Sequence, residues 1–158
     1  EVRQGFSTSL FRYYSPDGMG KYDALCRAYS ACVVRDGDMR AFLSHLKTFY
    51  DKFPYTLVNN NERHYQAVMY TIFAMLGADI TPEQPTSDGR VDMVLKTDDC
   101  IYIFEFKYGK DAETAIAQIE NKKYAAAFAD DKRGKVLVGI NFSEDSRTID
   151  DWVVKRLE

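Results

Sequence analysis

The sequence predicts an α/β fold with a mixed central sheet flanked by helices, and three patterns carry that prediction. NNNERHYQAVMYTIFAMLG, residues 59–77, has apolar residues at helical spacing, preceded by asparagines suited to capping and ended by Gly77. GRVDMVLKTDDCIYIFEFKYGK, residues 89–110, reads as two apolar strands joined by a polar turn. A helix-like stretch over about 111–128 then leads into KVLVGINF, 135–142, which reads as a strand.

Residues 1–58 are helix-like. In EVRQGFSTSLFRYY, Val2, Phe6, Leu10 and Tyr13 or Tyr14 fall near a 3.6-residue period, and Pro16, Gly18 and Gly20 of SPDGMG break it. A second helix is expected over about 22–34, stopping at Arg35-Asp36-Gly37. Asp36 or Asp38 can cap a third, running through Met39, Leu43, Leu46, Phe49 and Tyr50 and closed by Pro54. Tyr65, Val68, Met69, Ile72, Phe73 and Leu76 form the apolar face of the next helix. ADITPEQPTSDG, with two prolines, is a linker or a short strand, and strands follow near 90–96 and 100–107. The tail RTIDDWVVKRL is a last edge strand or a short helix.

With 158 residues the chain can bury a real core, as one domain or as a compact domain with a helical extension. It is 46% hydrophobic and 28% charged, with no long apolar run for a membrane span and no signal-peptide pattern, so a cytoplasmic location is expected. Cys26, Cys32 and Cys100 lack metal-type spacing and form an odd set, as reduced structural thiols do. The net charge of -3 argues against a strongly basic footprint that grips nucleic acid by counterion release, without excluding a local basic groove. The opening EVRQGF carries no initiator Met, and the chain reads as a fragment of something longer.

Charge inside the hairpin needs a reason. Side chains alternate along a strand, so Glu105 and Lys107 share a face while Phe104 and Phe106 take the other. A loop of two or four residues centred between Asp98 and Asp99 sets Asp92 opposite Glu105, whereas a three-residue loop would shift the register by one. Facing carboxylates repel unless a cation lies between them. Mg²⁺ is suited to this, since it takes one or two carboxylates and completes its octahedron with water and substrate phosphate. Lys107, on the same face, could hold an attacking water or neutralise charge in the transition state. An E-x-K triplet alone more often marks a solvated face.

Gly89-Arg90-Val91-Asp92 followed by Glu105-Phe106-Lys107 resembles the metal-binding signature of the PD-(D/E)XK nuclease superfamily, with Val91 where the motif's proline would stand. The resemblance implies a restriction-endonuclease-like αβββαβ core over about 62–142, with an N-terminal helical extension or linker in 1–58 and the nuclease-like domain in 59–158. Together with Ala117-Gln118-Ile119 and Lys123-Tyr124, the motif is similar to a bacterial group in which such a domain follows an AAA-ATPase-like region. That likeness implies a missing N-terminal ATPase-like region in cis.

Carried over by resemblance, Asp92 and Glu105 are the metal carboxylates, Lys107 the catalytic lysine, and the main-chain carbonyl of Phe106 a further metal ligand. Glu62 resembles the auxiliary acidic residue, although the helix macrodipole also favours an acid there. Gln118 occupies a helix position from which the family often reaches the site, and Lys122 shares its face, so the two could meet a phosphate, with Tyr124 beside them. The implied cofactor is Mg²⁺ or Mn²⁺ and the implied partner is nucleic acid, DNA ahead of RNA. Many nucleases of this type pair to cut two strands, so a homodimer is a candidate assembly. The alternative is a catalytically silent, nuclease-derived module that binds nucleic acid or protein, and a third reading makes 1–58 a helical interaction domain.

Overall fold

The computed structural model describes residues 18–51 and 61–157. The helix expected through Val2, Phe6 and Leu10, and the stop at Pro54, lie outside the described residues.

The first helix, α1 (Gly18–Ala28), continues as a π-helical segment over Tyr29–Arg35. It starts inside the stretch expected to be a break, because Gly18 and Gly20 fall in the first turn, whose N–H groups have no intrahelical partner to lose. In α2 (Met39–Tyr50), Asp38 is the cap, its Oδ1 accepting from the Ala41 N–H at 3.0 Å, while Asp36 pairs with Arg35 at 2.7 Å. Asn61 caps α3 (Glu62–Met75) by accepting from the His64 N–H at 2.9 Å, and Gly77, at φ 77°, ends its last turn in the left-handed region.

The sheet has five strands in the order β1 (Asp79–Thr86), β2 (Gly89–Lys96), β3 (Cys100–Tyr108), β4 (Gly134–Phe142) and β5 (Ile149–Arg156). All neighbours are antiparallel except β3 and β4, which run parallel and are joined by α4 (Ala112–Asn121). The proline-bearing segment is thus a full edge strand, where a missing N–H costs no ladder bond. The tail is the opposite edge. It is tied down by α2, as Lys47 Nζ donates to the Ile149 carbonyl at 2.7 Å and Arg40 to that of Val154.

The expected helix over 111–128 is two elements. After α4, Lys123 turns left-handed at φ 50° and a 3-10 turn follows over Tyr124–Phe128. A straight helix would carry Tyr124 away from the stripe of Ala112, Ala115, Ile116 and Ile119 that packs on the sheet. The turn at Lys123 buries the ring instead, against Val91, Val94 and Ile103.

Both faces of the sheet are covered. Helices α1 to α3 pack Leu25, Tyr29, Phe42, Leu46, Met69 and Phe73 onto Met93, Leu95, Phe104 and Phe106, while α4 packs on Val94, Ile101, Ile103 and Leu137. Val91, which alternation assigns to the Met93 and Leu95 face, lies in the α4 cluster. The cause is a gap in the β1–β2 ladder: Pro82 pairs with Met93 and Gln84 with Val91, but Glu83, at φ 50°, leaves Asp92 without a partner. The kink there resets the alternation. Among the described residues no helix is long and apolar enough to cross a membrane.

Candidate active site

The site is built at the end of the β2–β3 hairpin. Thr97 closes its turn around Asp98 and Asp99: the Thr97 N–H donates to the Cys100 carbonyl at 2.9 Å, and its Oγ1 accepts from the Cys100 N–H at 3.0 Å. The ladder runs from Lys96 opposite Ile101 to Met93 opposite Phe104 and stops there; the same register, carried one step further, would set Asp92 opposite Glu105. Asp92 therefore lies beyond the β3 ladder on one side and at the Glu83 gap on the other. Two other bonds hold it. The Phe106 N–H donates to Asp92 Oδ2 at 2.9 Å, and Gln66 Nε2 of α3 donates to the Asp92 carbonyl at 2.9 Å.

Glu105 and Lys107 are 2% and 5% exposed, in a central strand covered on both faces. Lys107 Nζ donates to Glu105 Oε1 at 2.9 Å and to the Phe106 carbonyl at 2.9 Å. Glu105 Oε2 is buried and meets no hydrogen-bond donor. Burial first, and then the Asp92 carboxylate, push the Glu105 carboxyl up to about 7, against the pull of Lys107. Burial likewise raises Asp92, opposed by the Phe106 N–H and by Lys107. The charge of Glu62, at the start of α3, raises both. Glu62, Asp92, Glu105 and Lys107 thus form one electrostatic group.

This group suits a divalent cation. A buried Glu105 whose pKa the half-buried Asp92 helps to raise, one carboxylate oxygen without a donor, and an ammonium resting on both a carboxylate and the Phe106 carbonyl define a place where positive charge is favoured. Among the described residues no cluster of three or more His, Cys, Asp or Glu side chains is ready to cage a metal. Two carboxylates with a main-chain oxygen is the sparser set that Mg²⁺, which keeps several waters, commonly takes.

The remaining predicted residues lie on α4, at its C-cap and in the 3-10 turn that follows. Gln118 is half-buried on the helix, and its side-chain amide makes no hydrogen bond among the described residues. Lys122 is exposed at the helix end, its N–H donating to the Gln118 carbonyl at 3.0 Å. Tyr124 is buried, with its hydroxyl beside Gly89: a Cβ there would lie 3.2 Å from the oxygen, and φ of 148° disfavours one. Gly139, the register partner of Glu105 on β4, lets α4 come close, since a Cβ would meet the Ala112 carbonyl at 2.5 Å. Sequence reasoning missed Gln66. Its one signal was the i+4 spacing from Glu62, which puts both on one face of α3.

A family model described as PD-(D/E)XK nuclease superfamily matches residues 60–152, a span containing all of these residues. A protein of Azotobacter chroococcum mcd 1, described as "Uncharacterized protein in vnfD 5'region", is 29% identical over 99% of this chain. The chain spans 31% of the length of that relative. No solved structure matches at comparable stringency.

Proposed function

Because the chain belongs to the PD-(D/E)XK nuclease superfamily, we propose that it is a metal-dependent nuclease hydrolysing nucleic-acid phosphodiester bonds, with DNA preferred over RNA. The observation that carries this reading is the group of a half-buried Asp92 with the buried Glu105 and Lys107, where burial and like charge push Glu105 up to about 7. A core does not keep facing carboxylates for stability, because an ion pair buried in this way is often replaced by apolar residues without loss.

Asp92, Glu105 and the Phe106 carbonyl would hold Mg²⁺ or Mn²⁺. When bound, the ion supplies Lewis acidity towards the phosphate and lowers the pKa of water. Lys107, freed from the Phe106 carbonyl, orients the attacking water or neutralises charge as it develops on the phosphate oxygens. Glu62 adds a third carboxylate at the rim for a second water or ion. Gln118 and Lys122 serve as phosphate contacts, and Tyr124 supports the start of β2 at Gly89.

A longer protein is the setting for this activity. The relative is about three times as long as the matched region, which supports a longer chain; within it an ATPase-like region in cis delivers substrate, 1–58 is the join to it, and two copies act as a homodimer on duplex DNA. The net charge of -3 favours a second reading, a binding module that no longer cuts. A cleavage assay on DNA and RNA in Mg²⁺ or Mn²⁺ separates the two. Loss of cleavage on chelation and in Asp92→Ala and Lys107→Ala is expected; equal residual activity in all three proteins removes the nuclease reading.

A further inference from the structure

We propose that Gln66 is the positioning residue for Asp92, fixing its carboxylate through the main chain; the inference deepens the nuclease reading and rests on it only for its consequence in catalysis. A strand residue is ordinarily oriented by its place in a ladder, and Asp92 has no register partner on either side. Towards β1 it faces the left-handed Glu83, and towards β3 the ladder has stopped at Met93. Continued, that register would set Val91 opposite Phe106, but the Phe106 N–H is taken by the Asp92 carboxylate at 2.9 Å. The side chain thus does the work of a ladder carbonyl, and its direction depends on where the Asp92 peptide sits.

Gln66 Nε2 sets that place, donating to the Asp92 carbonyl at 2.9 Å from a helix 26 residues earlier in the chain. The anchor is firm at its own base. Helix α3 is docked by Tyr65, Met69 and Phe73, all buried, on either side of Gln66 in sequence. The same helix carries Glu62 one turn before, so a single bond indexes the rim carboxylate against the strand carboxylate. An amide suits the task, because it donates to a carbonyl without adding charge to a site already crowded with carboxylates.

Amide hydrogen exchange read by NMR tests this without metal or substrate. In Gln66→Met, which keeps length and bulk but has no donor, the Phe106 amide should exchange about fivefold faster or more, while Tyr102, inside the ladder, keeps its rate. Titration with Mn²⁺ should then show about tenfold weaker binding, and cleavage a lower kcat with KM unchanged. Gln66→Glu, which cannot donate at pH 8, should repeat the exchange result and serves if the Met variant folds poorly. An unchanged Phe106 rate in both variants overturns the proposal, as does acceleration spread evenly over β3, which would mark a general loosening. If wild type cuts no nucleic acid while Phe106 alone responds to the substitution, the nuclease reading fails and the positioning role stands.

Discussion

Lys107 and Glu105 form an ion pair with Nζ and Oε1 2.9 Å apart, their side chains 7% and 2% exposed, so neither charge has water to fall back on. Such a pair is held less by its own attraction than by the cost of removing one member. Replacing Lys107 with Met should therefore destabilise the metal-free protein by about 3–5 kcal/mol at pH 8 in urea titrations. At pH 6, where Glu105 is protonated in the fold, the loss should shrink markedly. A loss of equal size at both pH values would mean that the lysine's aliphatic stem, not its charge, is what matters.

The raised carboxyl of Glu105 fixes the sign of a pH effect. In the unfolded chain it ionises near 4.5, the ordinary value for a glutamate, and in the fold it is pushed up to about 7. Between those values the native state holds the extra proton, so stability falls as pH rises through this window, and the full penalty is present above 7. Glu105→Gln, which removes the titrating carboxyl, should flatten this fall of stability with pH in the metal-free protein. The same substitution should abolish Mn²⁺ binding. For the wild type, metal affinity and cleavage should rise with pH across 7, and a flat profile from 6 to 8 would contradict the assignment.

Occupation of the site should reverse that penalty. Mg²⁺ or Mn²⁺ at a hundred times its dissociation constant is expected to add about 2.7 kcal/mol to unfolding. Thermal denaturation with metal, with chelator, and in Asp92→Ala reads this directly; stabilisation that survives Asp92→Ala would place the ion elsewhere.

Gly139→Ala probes the packing beneath the site. The added methyl would meet a backbone atom, the Ala112 carbonyl, at 2.5 Å, and the Ile116 and Ala115 side chains at 3.0 and 3.1 Å. Helix α4 must lift, at about 1–3 kcal/mol, and Glu105 in register with Gly139 should lose part of its burial. Cleavage should drop more than stability alone accounts for, measured well below the transition midpoint. Full activity in a destabilised Gly139→Ala would show that α4 does not shape the site.

The fold was legible where residue type and local geometry agree. The capping role of Asn61, the apolar stripe of α3, the polar turn at Asp98-Asp99 and the register it sets are all short-range facts, readable from spacing. Asp92, Glu105 and Lys107 stood out because charge inside an apolar strand is costly. What spacing could not convey was set by contacts distant in sequence. Lys123 leaves the helix so that Tyr124 can reach Val91, Glu83 adopts a conformation uncommon for its type opposite Asp92, and Gln66 bonds a carbonyl whose ladder is missing. None of these carries a local pattern. Gly18 and Gly20 misled for the opposite reason, since residues that break a helix interior are tolerated at its start.

The Asp98-Asp99 turn lies at the far end of the hairpin from the carboxylates and touches none of them, yet it counts out their positions. Its side chains can drift under mutation at little cost, while its length cannot. A single codon inserted there would leave composition and helices intact and turn Glu105 and Lys107 towards the aromatic side, with Phe104 and Phe106 facing Asp92. The hairpin tip therefore behaves as a reading frame for chemistry: tolerant of spelling, intolerant of insertion.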